Sequence, residues 1–170
     1  MRGVVVFSHG TGGSSGFIEA TESSPNALAL VADGCGAVST EAEEAVAGDL
    51  NGNGKQRWMI RAVANNVGLG NLQLMFEAFE TRGLIPVGTP KHALRMSNGG
   101  SFSHLLGTVG ATAVALNFPQ LRFAAVVGYC SGATASRSAT LSTTPSASFM
   151  CGAEDKPEVL NAEARADEAT

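Results

Sequence analysis

The chain opens on an uninterrupted apolar run. Residues 3–8, Gly3-Val4-Val5-Val6-Phe7-Ser8, hold no polar side chain before the last position. A β-branched run of this length behind a glycine is the pattern of a strand buried on both faces. Residues 9–16 form a Gly/Ser loop. Ser24 as N-cap, Pro25 at the first helical position and Gly34 as the stop then predict a helix over 25–33. A short strand at 36–39 follows, and Thr40 with Glu43 has the capping-box spacing that predicts a helical turn over 41–47. After a polar loop at 48–58 comes the strongest periodicity, a helix over 66–82. There Leu72, Met75, Phe76 and Phe79 recur at the spacing of one buried face, and Gly83 closes the helix. A turn from Pro86 to Pro90 precedes a strand at 92–96. A helix over 99–109 follows, with Phe102, Leu105, Leu106 and Val109 on one face. Residues 122–129 and 147–151 read as further strands, separated by a Ser/Thr/Ala loop at 131–146, and from residue 158 the chain turns Ala- and Glu-rich. Strands alternating with helices predict an α/β fold, with a mostly parallel sheet of about five strands between helices on both faces.

Composition narrows the function classes. With 170 residues, 44% of them hydrophobic and 15% charged, a single domain over 1–170 with a real core is expected. The 21 glycines and 6% aromatics suit a loop-rich α/β protein better than a helical bundle. A net charge of −4 gives no basic footprint for nucleic acid. No apolar stretch approaches the about 20 residues that a spanning helix needs. Met1-Arg2 leads directly into the first strand rather than into an export signal. Cys35, Cys130 and Cys151 lie far apart without a CxxC pair, so they are expected to be small core residues rather than a zinc cluster or a disulfide framework.

Two segments carry chemistry. Residues 95–103, Arg95-Met96-Ser97-Asn98-Gly99-Gly100-Ser101-Phe102-Ser103, place one serine on a sharp turn between a strand and a helix. Such a turn lifts the hydroxyl out of the backbone and aims the following N–H groups at whatever it attacks. Arg95 departs from the small residue usual two positions before the nucleophile, and an ordinary strand-to-helix loop with Ser97 as N-cap is the competing reading. The second segment is His9-Gly10-Thr11-Gly12-Gly13-Ser14. Glycines let a backbone approach an oxyanion closely. Thr11 N–H and Asn98 N–H are the expected donors, with His9 orienting the loop and Gly10, Gly12, Gly13, Gly99 and Gly100 supporting it. A phosphate loop would instead need a Gly-Lys or a Gly-x-Gly-x-x-Gly spacing, and neither occurs.

In this order, and on these elements, the two segments resemble the α/β-hydrolase superfamily. The branch they are most similar to holds polyhydroxybutyrate depolymerases and feruloyl esterases, whose His-Gly loop and Met-Ser-Asn-Gly-Gly elbow they share. The resemblance spans roughly residues 3–155. It implies a partial α/β-hydrolase fold, a three-layer α/β/α sandwich. In it the second strand lies outside the first, the serine strand lies on the first strand's other side, and the next two strands follow. It implies hydrolysis of a carboxylic ester, small or polymeric, through an acyl-enzyme on Ser97, without a cofactor. It also implies a triad acid just after the strand at 147–151, where Asp155 stands, with Glu154 as the alternative and a solvated loop carboxylate as the competing reading. Relatives of this kind are often secreted.

The base is the difficulty. The superfamily order is Ser, acid, His, yet His9, His92 and His104 all precede Asp155. The expectation is therefore a hydrolase of impaired turnover, truncated at both ends, or a non-catalytic hydrolase-fold module that binds a ligand or partner and can self-associate through exposed sheet edges. Asp49, Asn51 and Asn53 with Gly54 also resemble the start of a calcium loop. However, Arg57 and Ile60 occupy its ninth and twelfth positions, and an Asn-Gly turn is the competing reading. Trp58, Phe17 and Phe102 are candidates to line an acyl or aromatic pocket, with core packing as the competing role for Phe102.

Overall fold

The computed structural model describes residues 1–10, 12–21, 23–49, 52, 54–56, 58, 66–96, 118, 121, 123–129 and 146–150. Their elements are β1 (Val4–Ser8), a 3-10 turn (Ser15–Glu19), α1 (Ser24–Ala32), β2 (Gly36–Thr40), α2 (Glu44–Ala47), α3 (Val67–Thr81), β3 (Lys91–Met96), β4 (Phe123–Tyr129) and β5 (Ser146–Met150). The five strands form one sheet in the order β2-β1-β3-β4-β5, and every neighbouring pair is parallel. This is the α/β class expected from the alternation of strands and helices, with the strand order that the resemblance implies.

β1 is buried at all five positions while β2 is half-buried throughout. The apolar run of β1 therefore belongs to an interior strand, and the Gly-Ala-Val-Ser-Thr of β2 to an edge. Alternate β1 side chains serve two separate cores. Val4 and Val6 pack with Leu69, Leu72 and Phe76 of α3, together with Trp58, Ala93 and Phe123. Val5 and Phe7 pack with Ala27 of α1, and Phe17, Leu30 and Leu94 close that side. Each fully buried large apolar side chain contributes about 1.5–3 kcal/mol, so α1 and α3 are anchored to opposite faces of one strand.

Chain direction explains the two faces. From β1 through α1 the chain moves outward to β2. From β2 through α3 it returns past β1 to β3. Right-handed crossovers put the connecting helix on opposite faces when the direction reverses. The reversal makes the gap between β1 and β3, at the carboxyl ends of the strands, the topological switch point where open α/β sheets bind ligands.

Local signals set the helix ends. Both long helices close in a Schellman motif. In α3, Gly83 N–H donates to Glu80 O (3.0 Å) and Leu84 N–H to Phe79 O (2.9 Å); in α1, Gly34 N–H donates to Val31 O (3.0 Å) and Cys35 N–H to Leu30 O (2.9 Å). Gly83 has a φ of +68°, a value that disfavours residues with a Cβ. At the other end of α3 the Asn66 side chain accepts from Leu69 N–H at 2.9 Å, an N-cap bond.

Four expectations need correction. The N-cap position of α1 is Ser23, without a side-chain cap bond, and the helix begins at Ser24. Thr40 is the last residue of β2 rather than a cap, and its Oγ1 is buried without a hydrogen-bond partner. The helix after it begins only at Glu44, with Glu43 at the cap position. Cys35 is a half-buried free thiol rather than a core residue. The expected helix over 99–109, the loop at 131–146, the Ala/Glu-rich tail, Cys130 and Cys151 lie outside the described residues.

Candidate functional site at the carboxyl ends of β1 and β3

Register sets the site. Ser8 pairs with Thr40 on one side and with Arg95 on the other. The chain therefore leaves β1 into His9-Gly10 beside the point where it leaves β3 after Met96, and Ser97 is the next residue. Ser97, Asn98, Gly99, Gly100, Thr11, Asp155, Glu154, Asn51, Asn53, Phe102 and His104 lie outside the described residues.

His9 anchors the glycine loop. Its ring is 1% exposed. Ala42 N–H donates to His9 Nε2 at 3.1 Å, so Nε2 is the acceptor nitrogen. The proton then sits on Nδ1, which donates to Gly10 O at 2.7 Å. The His9 carbonyl accepts from Trp58 Nε1 at 3.1 Å, and the two rings are tilted at 44° with centroids 5.6 Å apart. With both ring nitrogens engaged by backbone, His9 orients the loop and is no catalytic base. Trp58 is buried against His9 as a support, which replaces its expected role in a pocket. Phe17 is partly buried against the α1-side core, 6.2 Å from the Phe7 ring.

The loop's own amides are partly committed. Gly13 N–H donates to Gly10 O at 3.0 Å, closing a turn over 10–13, and Gly12 N–H donates to Gln56 O at 2.7 Å. Gly12 has a φ of +79°, a value that favours glycine. At Gly13 a Cβ would lie 3.1 Å from His9 Cβ and 3.2 Å from Nδ1, so a side chain here would push the imidazole by a few tenths of an ångström. Gly10, Gly12 and Gly13 thus shape the loop, and the Gly12 and Gly13 amides serve the protein rather than a ligand.

A residue that sequence reasoning placed in a helix belongs to this site. Glu41, the first residue past β2, accepts from both Ser15 N–H (2.8 Å) and Ser15 Oγ (2.6 Å) through Oε1. Its Oε2 lies 3.7 Å from His9 Nε2. The two Ser15 bonds hold its carboxyl below the ordinary glutamate range, and burial opposes them. No local pattern marks this pair, because 26 residues separate its members.

His92 and Asp49 are the other described candidates. His92 pairs with Val5, four residues before the end of β3, or about 13 Å along the strand. That distance removes it as a base for Ser97. Asp49 Oδ2 accepts from Gly54 N–H at 2.6 Å, Asn51 and Asn53 lie outside the described residues, and no group of three His, Cys, Asp or Glu suited to a metal exists among the described residues. Neither a protein-family profile, nor a curated protein, nor a solved structure matches the chain. Among the described residues no helix is long and apolar enough to cross a membrane.

Proposed function

We propose that the chain is a serine hydrolase of the α/β-hydrolase kind, in a three-layer α/β/α arrangement, acting on carboxylic esters through Ser97. The observation that carries this reading is the side-by-side exit of β1 and β3 at the switch point. A histidine-anchored glycine loop leaves one strand, and the Met-Ser-Asn-Gly-Gly sequence leaves the other. Ser97 Oγ would attack the ester carbonyl, Thr11 and Asn98 N–H groups would hold the oxyanion, the alcohol would leave, and water would release the acid. Asp155 would orient a base, but His9 is engaged and His92 is distant. Where no base is supplied, solvent takes the serine proton and catalysis falls toward the ~10³–10⁴-fold enhancement left when a triad member is missing.

The same geometry favours one second reading, a non-catalytic module that binds an ester or a partner at this cleft. Under that reading the uncharged edge strand β2 is the route to self-association. A fluorophosphonate probe separates the two. Phosphonylation forms a bond from Ser97 Oγ to phosphorus, breaks the P–F bond and gives the proton to solvent. The hydrolase reading expects slow labelling at Ser97, accelerated by added imidazole as a surrogate base and abolished in Ser97→Ala. A folded protein that takes no label, with or without imidazole, overturns it in favour of the binding module.

A further inference from the structure

Glu41 joins elements that backbone pairing leaves separate. It stands directly after β2, while Ser15 stands on the far side of the glycine loop. One carboxylate oxygen takes both the Ser15 amide and the Ser15 hydroxyl, and the adjoining Ala42 amide takes His9 Nε2. On the opposite side the loop is held by Gly12 N–H to Gln56 O and by Trp58 Nε1 to His9 O. The loop is thus clamped between the end of β2 and the segment at 56–58. The two contacts to His9 are buried, whereas Gly12 and Gln56 are exposed, as is the Glu41–Ser15 contact. It is the side-chain member of the clamp that is open to solvent.

We propose that Glu41 is a positioning residue for Ser97 chemistry, a latch that fixes the loop carrying the oxyanion donor; this rests on the hydrolase reading above. The physical case is leverage. Donors that stabilise a transition state work only if they are preorganised, and a displacement of about 1 Å at such a site can cost about 10²-fold. With Glu41 released, residues 13–15 would stay linked to the fold through the Gly13–Gly10 turn, the neighbouring Gly12–Gln56 bond and the 3-10 turn. The His9 side of the clamp would persist, so the fold should stand while the loop loosens.

Two measurements on the full chain test this with Glu41→Gln and Ser15→Ala. Amide exchange across residues 9–16 reads the latch without any chemistry. The dependence of Ser97 phosphonylation on probe concentration separates probe binding from the bond-forming step. Exchange should accelerate in this segment and not in β1 or α3. The limiting rate of phosphonylation should fall about 10- to 100-fold with little change in the half-saturating probe concentration. A simple loss of folded protein would instead lower the labelled fraction and leave the rate of the rest unchanged. Unchanged exchange overturns the latch, and accelerated exchange with an unchanged limiting rate overturns its positioning role. If the wild-type chain takes no label, the hydrolase reading fails and the positioning role falls with it, an outcome distinct from the other two.

Discussion

Replacing His9 by phenylalanine removes both ring nitrogens and keeps a ring of similar size against Trp58. The consequences can be worked contact by contact. Ala42 is 1% exposed, and its N–H donates to Nε2. In the variant that amide is left buried without an acceptor, at about 1–3 kcal/mol. Gly10 O loses the Nδ1 bond but keeps Gly13 N–H, a loss of about 1 kcal/mol. The Trp58 bond to the His9 carbonyl survives, because it is made to backbone. The expected destabilisation is therefore about 2–4 kcal/mol, a fall in Tm of roughly 5–15 °C for a chain of this length. Urea unfolding should be followed by circular dichroism and by emission of Trp58, the single tryptophan. Coincident transitions would license the two-state treatment. His9→Ala should be less stable still, since it also leaves a cavity beside Trp58. A Phe variant within 0.5 kcal/mol of wild type, a threshold below the usual cost of an orphaned amide, would falsify the assignment of His9 as the loop's polar anchor.

Two further outcomes follow from contacts at the same end of the sheet. Gly68, in the first turn of α3, sits where a Cβ would lie 2.7 Å from Glu43 Oε2. Gly68→Ala therefore requires the Glu43 carboxyl to move, which a flexible side-chain end does cheaply, and alanine is the better helix former by about 1 kcal/mol; the variant should stay within about 1 kcal/mol of wild type in thermal unfolding, and a loss above about 2 kcal/mol would refute a movable Glu43. Glu41 is held below its ordinary pKa chiefly by Ser15, so its contribution is present above the unfolded value, about 4.3 for glutamate, and lost as pH falls through the lower folded value. Wild type should lose more stability between about pH 5 and pH 3 than Glu41→Gln does, and parallel pH profiles would refute the linkage.

Periodicity, caps and turns were legible in the sequence because they depend on neighbours a few residues away. The run Val4 to Phe7 announced an interior strand, and its two-faced burial confirms why no position could be polar. Leu72 and Phe76 marked the buried face of α3, and Gly34 and Gly83 marked its end and that of α1. The local rule failed where two local rules compete. Thr40 and Glu43 have the spacing of a capping box, but Thr40 is held in β2 by pairing with Ser8. Glu43 then turns toward the start of α3, with its Oε2 close to Gly68. Tertiary structure alone decided the roles of Glu41, Ala42 and Trp58, whose contacts to the glycine loop span 26, 33 and 49 residues. A side chain's pattern within its own segment carries no information about which strand end lies beside it. That is fixed by sheet order and register, which here bring the ends of β1, β2 and β3 to one edge and make His9 an anchor rather than a base.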